Sequence, residues 1–233
     1  MKNYKKNLKI LEKNHIYSKS MEHDACGVGL VASTEGKKSR KIVEYGIEAL
    51  KAVWHRGAVD ADGKTGDGAG IHIEIPYNFF VEKIETKGHK HDNSEICIGM
   101  IFLPRDNFNA QEDCKTIVEK ELTKLDFKIY GWRQVPINTK VLGEKANSNR
   151  PEITQVLFKN NDKNLVDKDL ERKLYEIRRK IEKEAIKNNL EGFYICSLSS
   201  KSIIYKGMFL AEALSNFYTD LNDERFISRY AIF

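Results

Sequence analysis

One cysteine in this chain stands where a nucleophile could work. Cys26 is followed by Gly27, Val28 and Gly29 and then by the apolar run 30–32. A short, β-branched run interrupted by glycine predicts a buried strand whose backbone another group approaches closely. A thiol at the head of that strand would lie at a sheet edge, within reach of a reagent. A lone cysteine is more often a small core residue, so the neighbouring motifs must decide.

Two later stretches carry residue types suited to a site around this thiol. The motif Trp54-His55-Arg56-Gly57-Ala58 contains an arginine whose planar guanidinium suits an anion or a carbonyl. The run 62–70 is rich in glycine, and glycines at 57, 66, 68 and 70 would let backbone pass close to a site. Two alternatives stay open: Arg56 as a charge capping a helix C-terminus, and His55 as a base for Cys26 rather than a structural residue.

Metal and nucleotide sites fit the spacing of these residues less well. The glycines of 66–70 match neither the dinucleotide fingerprint nor a phosphate-binding loop with its lysine. Asp60 and Asp62 suggest a calcium loop, but a threonine occupies the position of the EF-hand glycine. His89 and His91 lie in a charged segment, where a solvated side chain is the simpler interpretation.

Bulk composition favours a globular protein with reduced thiols. The 233 residues are 41% hydrophobic, which is enough for one large domain with a sizeable core. The 39 basic and 34 acidic residues are interspersed, so we expect no nucleic-acid partner. No apolar run reaches the roughly 20 residues of a membrane span. Cysteines 26, 97, 114 and 196 form no Cys-x-x-Cys pair, so we expect a cytoplasmic protein without structural disulfides.

Apolar periodicity predicts helices mixed with strands, an α+β arrangement. A helix capped by Ser39 should end at Gly57 and so deliver His55 and Arg56. The terminal strand 230–233 is expected to be unpaired, which predicts poor solubility. The other elements are a strand over 71–75, a loop over 82–95, a strand buried on both faces over 96–103, a helix over 114–125, a strand over 127–130, a polar loop over 140–150, a strand over 153–158, a helix over 170–185, and a strand pair over 193–198 and 203–206.

The order of these motifs resembles the N-terminal part of the class II, N-terminal nucleophile, glutamine amidotransferase domain of the glutamate synthase family. The resemblance covers nearly the whole chain after about residue 22. It rests on the segments 26–29, 55–58, 62–70, 75–76, 79–80, 100–105, 131–136, 175–180, 193–195, 205–208 and 217–221.

The resemblance implies a fold and a domain division. The fold would be the four-layer αββα sandwich of N-terminal nucleophile hydrolases, C-terminally incomplete in this chain. Residues 1–25 would be a leader or propeptide, removed before Cys26, and residues 26–233 the N-terminal portion of the amidotransferase domain. The leader is basic and lacks the apolar core of a signal peptide. The alternative for residues 1–25 is a frayed chain terminus, and this is compatible with a leader or propeptide that is later removed.

The resemblance also implies the chemistry. Cys26 would attack L-glutamine, with its own freed α-amino group as the base, and form a γ-glutamyl thioester that water hydrolyses to glutamate. Arg56 would be the active-site arginine and, with Gly57, would bind substrate. No cofactor is expected in this chain. FMN and an iron–sulfur cluster would lie in the rest of the large chain, which would use the ammonia to make glutamate from 2-oxoglutarate. A small subunit or an electron donor would be a further partner.

Two family motifs follow the strand that 230–233 resembles: a His-Gln-Arg motif for the substrate carboxylate and an Asn-Gly pair for the oxyanion. Their absence from these 233 residues leads us to expect a chain inactive on its own, since one lost oxyanion donor lowers turnover about 100- to 1,000-fold. The alternative is a non-catalytic remnant or interaction module of the same fold.

Overall fold

The protein is described by a computed structural model covering residues 10, 13, 27–53, 58–90 and 95–233. Most of the predicted leader and the segments 54–57 and 91–94 lie outside these residues. The helices are α1 Arg40–Ala52, α2 Tyr77–Glu85, α3 Phe108–Thr123, α4 Glu144–Ser148, α5 Asp167–Lys187 and α6 Leu214–Phe217. Short 3₁₀ turns span Thr139–Val141, Ala211–Ala213 and Thr219–Asn222.

In the part of the chain that the structure describes, eight strands form two antiparallel sheets of four. They are β1 Leu30–Ala32, β2 Ala69–Glu74, β3 Cys97–Leu103, β4 Phe127–Gln134, β5 Glu152–Asn160, β6 Tyr194–Ser199, β7 Ser202–Gly207 and β8 Tyr230–Ile232. The first sheet has the order β1-β8-β2-β7, and the second has the order β4-β5-β3-β6. In the first sheet Ile73 pairs with both Ile203 and Ala231. The mixed α and β composition agrees with the predicted α+β class.

Strand β3 shows how the second sheet separates two apolar cores. Side chains alternate between its two faces: Ile98 and Met100 enter the larger core, whereas Ile101 and Leu103 enter the smaller one. The larger core also takes side chains from α1, α2 and the first sheet. The smaller core is completed by α3 and α5, through Cys114, Val118, Leu122, Leu170, Leu174, Ile177 and Ile181. The predicted burial of β3 on both faces is thus confirmed.

Helix α1 follows the predicted apolar pattern but ends earlier. Ser39 occupies the N-cap position, and Ile42, Val43, Ile47 and Leu50 are buried. The Ser39 side chain makes no capping hydrogen bond; its backbone instead pairs with Ser228. The helix ends at Ala52, so the prediction that it continues to Gly57 was wrong.

Three other local predictions need correction. The loop predicted from residue 82 begins inside α2, whose buried Phe79, Phe80 and Ile84 form a stripe too short to recognise. The polar segment 140–150 contains α4. Strand β1 is short, and Val28 and Leu30 are 77% and 64% exposed. Among the described strands β1 pairs only with β8 at the sheet edge, so it is not the buried strand that its sequence suggests.

Strands β6 and β7 are not the hairpin pair that their sequence predicts. They are joined by the turn after Ser199, but β6 pairs with β3 and β7 pairs with β2, so the chain passes here from one sheet to the other. Glu171 of α5 stabilises this crossing by accepting hydrogen bonds from the Ser199 hydroxyl and from the amide and hydroxyl of Ser200, each at 2.8 Å. The turn therefore connects the two sheets and α5.

The last strand is the most informative correction. The sequence predicts an unpaired strand at the chain end, whereas β8 lies between β1 and β2 and pairs with both. The Phe233 amide donates to the Gly29 carbonyl and the Gly29 amide donates to the Phe233 carbonyl. The expectation of poor solubility from an unpaired β8 therefore loses its basis.

A buried ion pair joins the second sheet to the chain beyond β7. Arg133 of β4 donates to both carboxylate oxygens of Asp220 at 2.7 Å, with side chains 12% and 4% exposed. Gln155 accepts from the same guanidinium at 2.8 Å. The Tyr205 hydroxyl donates to Asp220 at 3.3 Å and accepts from Gln155 at 3.2 Å. Burial, and then the nearby Asp220 charge, raise the pKa of Tyr205 well above its ordinary value, so the phenol stays a donor.

Removing one charge from this network should be strongly destabilising. We expect Asp220→Asn to lower the free energy of unfolding by about 3–5 kcal/mol, because it leaves the Arg133 guanidinium buried and uncompensated. Urea denaturation at neutral pH measures the change. The control, Glu176→Gln, breaks an exposed pair with Lys173 on α5 and should change stability by about 0–1 kcal/mol. Equal losses in the two variants would contradict the role given to the buried pair.

Glu74 makes stability depend on pH. Burial on its own would raise the pKa of this carboxyl, but hydrogen bonds from the Arg229 side chain and amide and the charge of Lys38 outweigh it, so the pKa is lowered. The Arg229 amide lies 2.6 Å from one oxygen, and its guanidinium lies 2.7 Å from the other. A lowered folded-state pKa contributes stability above the unfolded pKa of about 4.3, and this is lost as pH falls through the folded pKa.

We therefore expect Glu74→Gln to be less stable than the parent near neutral pH and to lose less stability on acidification below about pH 4.3. Thermal unfolding followed by circular dichroism across this range measures both effects. Glu48→Gln, at an exposed position of α1, is the control and should follow the parent curve. A Glu74→Gln curve parallel to the parent would refute the assignment.

Candidate functional site

The three residues predicted to do the chemistry lie outside the described residues. These are Cys26, Arg56 and Gly57. The structure does describe the chain on either side of them, from Gly27 onward, up to Val53 and again from Ala58. The site is therefore built from the neighbours of these residues, and their own roles stay predictions.

An open cleft of about 710 Å³ is lined in part by Gly27, the residue after Cys26. Gly27 and Val28 line one part of it, the segment 67–72 lines a second, and the segment 206–208 lines a third. The remaining lining residues are Leu50, Phe102, Tyr194, Ile204, Ile232 and Phe233. Three motifs distant in sequence, in the segments 26–29, 62–70 and 205–208, thus meet around one concave surface of the size that small-molecule sites have.

The loop that leads into the cleft is held by its own carboxylate. Asp62 accepts hydrogen bonds from the amides of Lys64 and Thr65, at 2.9 and 2.7 Å, and from the Thr65 hydroxyl at 2.5 Å. The hydroxyl contact, and then the amide contacts, lower the pKa of Asp62. Thr65 in turn accepts from the amide of Ala146 in α4 at 3.2 Å. The carboxylate that hinted at a calcium loop therefore shapes a turn.

Two glycines of the 62–70 run are required by close backbone approach, as their sequence suggested. A Cβ on Gly66 would lie 2.8 Å from the carbonyl carbon of Phe209 and 2.9 Å from its oxygen. A Cβ on Gly70 would lie 2.8 Å from the Cβ of Lys206 and 3.0 Å from the Tyr205 carbonyl. Because neither position carries a side chain, the loop can lie against β7 and the segment that follows it, where the cleft is formed.

The polar groups of the cleft include two side chains to which the sequence gave no role. Lys206 donates to the Tyr194 hydroxyl at 2.7 Å and lies 4.5 Å from the centre of its ring. Tyr194 also packs on Phe102, with ring centroids 5.8 Å apart. Both residues lie in segments that carry the family resemblance, 193–195 and 205–208, but the resemblance gave them no role. A polar residue in an otherwise apolar strand does not by itself distinguish a cleft from solvent.

His72 is the titratable side chain on the cleft's β2 wall. Its Nε2 is buried without a hydrogen-bond partner, and burial lowers the pKa of the imidazole. Its ring packs edge-on against Tyr230, with centroids 5.9 Å apart. A neutral imidazole in this place adds to the apolar wall of the cleft and carries no charge into it.

The other cysteines are protected. Cys97, Cys114 and Cys196 are free thiols and buried. Burial raises the pKa of Cys114 and of Cys196 to about 11, and that of Cys97 well above its ordinary value. Because the thiolate is the nucleophile, these three side chains are poor candidates. The prediction that Cys26 is the nucleophile is compatible with their burial.

Within the described part of the chain, no three His, Cys, Asp or Glu side chains are grouped so that they could hold a metal ion. His89, named as a candidate ligand, packs against Tyr130 at 5.4 Å between ring centroids, and His91 lies outside the described residues. None of the helices in that part of the chain has the length and apolar character to cross a membrane.

Comparison with known families decides the relationship. The profile of the family described as "Glutamine amidotransferases class-II" matches residues 26–233, starting at the candidate nucleophile. This chain belongs to the class II glutamine amidotransferase family. The resemblance read from the motif order is thereby confirmed.

Relatives of this amidotransferase chain are glutamate synthases. It is 54% identical over 230 residues to the glutamate synthase [NADPH] large chain of Azospirillum brasilense, covering 99% of this chain and 15% of the relative. It is 38% identical to the ferredoxin-dependent glutamate synthase of Pyropia yezoensis and 40% identical to that of Cyanidium caldarium, covering 97% and 91% of this chain. The chain spans about 15% of the length of these curated relatives.

The close approach at Gly66 gives a test of the amidotransferase cleft. We expect Gly66→Ala to push the loop away from Phe209 and to lower stability by about 1–3 kcal/mol, the usual range for overpacking. Chemical denaturation measures the loss. Lys64→Ala, two residues away and exposed, is the matched control and should stay within about 0.5 kcal/mol of the parent. If Gly66→Ala is as stable as this control, the backbone contact does not hold the loop.

Proposed function

We propose that this chain supplies the nucleophile for the glutaminase half-reaction of a glutamate synthase, the hydrolysis of L-glutamine to glutamate and ammonia, and that it reacts with glutamine analogues without completing turnover by itself. The observation that carries the proposal is the family match, which starts at Cys26. The cleft, which Gly27 lines, supports it. Protected thiols at the other three positions favour Cys26 as the nucleophile. Arg56 would fix the substrate beside it, and Gly57 would let the backbone come close.

The division at residue 26 is part of the same proposal. Residues 1–25 would be a leader removed by cleavage before Cys26, and residues 26–233 would belong to the amidotransferase domain. We also propose the four-layer αββα sandwich of N-terminal nucleophile hydrolases as its fold. Two four-stranded antiparallel sheets support this, with α1 packed on β8, β1 and β2 and with α3 and α5 covering the second sheet.

Cleavage would give Cys26 a free α-amino group beside its thiol. An α-amine has an ordinary pKa of about 7.7–8.0, so near neutral pH a useful fraction is unprotonated and able to act as a general base. It would take the thiol proton while Sγ attacks the amide carbon of glutamine. The carbon–nitrogen bond then breaks, the amine returns the proton to the leaving nitrogen, and ammonia departs. Water would cleave the thioester, giving glutamate and the free thiol.

The relatives' names, which are those of glutamate synthases, support a proposal for the rest of the large chain. We propose that the ammonia serves glutamate synthesis from 2-oxoglutarate, performed by the rest of a large chain that carries FMN and an iron–sulfur cluster. An electron donor or a small subunit would be its further partner. None of these groups is needed for the thioester step, so the attack by Cys26 on a glutamine analogue is testable by itself.

Labelling with a glutamine-analogue electrophile, diazo-oxo-norleucine, tests the nucleophile. We expect intact mass spectrometry to show a chain starting at Cys26 with one adduct, and peptide mapping to place that adduct on Cys26. Cys26→Ala should take up none. The other three thiols should react with iodoacetamide only after unfolding, because burial raises their pKa. Cys196→Ala is the matched control and should keep the single adduct.

The Azospirillum brasilense large chain, treated in parallel, controls for reagent quality. An unprocessed and unlabelled chain, when that control is labelled, would refute the glutaminase proposal for this polypeptide. It would favour the non-catalytic interaction module. An adduct on Cys97, Cys114 or Cys196 in the folded protein would contradict the protection deduced from burial.

A further inference from the structure

A groove lies between the C-terminal half of α5 and the first residues of β6. Its volume is about 500 Å³, and the apolar side chains that line it are Ala185, Ile186, Leu190, Phe193, Tyr194 and Ile195. Ile186 is 77% exposed, although it is large and apolar. Tyr194 also lines the cleft, so the two concave surfaces are neighbours. The glutaminase half-reaction gives no role to this surface, which we call the α5 groove.

Positive charge without a partner lies beside the α5 groove. Lys183 lines it, together with Arg179 and Glu182. Glu182 is already engaged, because it accepts from both Arg178 and Arg179. Lys180 and Lys183 are exposed, and among the described acidic side chains none lies within ion-pair distance of either. The groove therefore offers apolar contact and two free ammonium groups.

The start of α3 carries the complementary groups. Phe108 is the first residue of this helix and is 71% exposed. Glu112 and Asp113, about one turn further on, are exposed as well. Glu112 pairs with Lys115 of its own helix at 2.8 Å, and no basic side chain in the described ranges lies within ion-pair distance of Asp113. An exposed aromatic side chain beside carboxylates matches a groove that is apolar and basic.

Both surfaces lie at the same end of the second sheet. Phe102, near the end of β3, pairs with Tyr194 at the start of β6. A Cβ on Gly192, between α5 and β6, would lie 3.5 Å from the Cα of Pro104, between β3 and α3. Two complementary surfaces at one end of a molecule can meet those of an identical molecule across a two-fold axis, and each contact is then made twice.

We propose that the α5 groove binds a second copy of this chain in a two-fold symmetric dimer. Phe108 of each copy enters the groove of the other. Lys180 and Lys183 of each copy face Glu112 and Asp113 of the other. The apolar contact supplies affinity, and the opposite charges fix the orientation of the two copies.

Sedimentation equilibrium of the full 233-residue chain tests the dimer. We expect a reversible dimer at about 100 μM protein. Phe108→Ala should weaken it at least about 100-fold, because burial of a phenylalanine side chain contributes a factor of about ten or more and the contact occurs twice. Tyr45→Ala, which removes an aromatic side chain exposed on α1, is the matched control and should leave the dimer unchanged.

Charge reversal tests the pairing. Lys180→Glu/Lys183→Glu and Glu112→Lys/Asp113→Lys should each be monomeric at the same protein concentration, since both contacts then join like charges. An equimolar mixture of the two variants should recover the dimer, with one chain of each kind, because both contacts then join opposite charges. Recovery in the mixture distinguishes this interface from a loss of folding in either variant.

The control for net charge is Lys163→Glu/Lys168→Glu, at exposed positions near the start of α5, which should dimerise as the parent does. The proposal is overturned if the parent is monomeric at about 100 μM, if Phe108→Ala dimerises as tightly as the parent, or if the mixed charge-reversed chains stay monomeric. Carbodiimide crosslinking of mixed ¹⁴N- and ¹⁵N-labelled parent chains decides the matter even if a variant does not fold. A mixed-isotope link between the segments 180–183 and 112–113 supports the dimer, and its absence refutes it.

Discussion

The buried pair between Arg133 and Asp220 is the contact on which the candidate site depends most. It fixes β4 of one sheet to the 3₁₀ turn beyond β7, at 2.7 Å for each of two hydrogen bonds. Through Gln155 and Tyr205 it also reaches β5 and β7. Strand β7 then presents Lys206, and the following residues wall the cleft. A charged group in a core is tolerated only when its partners are complete, so the network specifies how the two sheets meet.

Close backbone contact is the second constraint, and it acts at the cleft itself. The glycine-rich loop lies against Phe209 and the end of β7 because Gly66 and Gly70 have no side chain to keep it away. Asp62 holds the same loop from the outside, through the turn at Thr65. The position of this loop at the cleft therefore depends on two features. Gly66 and Gly70 allow close backbone contact on one side, and the hydrogen-bonded Asp62 carboxylate holds the turn on the other.

The sequence predicted best where one local pattern determines the outcome. The face of α1, the two-sided burial of β3 and the whole of α5 follow from apolar spacing alone. The glycine loop and the order of motifs led to the correct family. Prediction failed where the partner of a segment is distant in sequence: the edge position of β1, the central position of β8 and the separate sheets of β6 and β7 depend on pairing that no local pattern records. The role of Lys206 in the cleft was missed for the same reason, since a polar residue facing a cleft has the same local sequence as one facing water.

The central place of β8 has a consequence for biosynthesis. Leu30 pairs with Ile232, a residue far from it along the sequence. Closing so long a loop is entropically unfavourable and slow compared with forming local contacts. Of the described strands, β8 alone pairs with β1, so the strand that follows Cys26 has no partner on the ribosome until residue 232 has emerged. The first sheet is therefore completed only after residue 232 has been made, whereas the local contacts within α1, α3 and α5 can form before it.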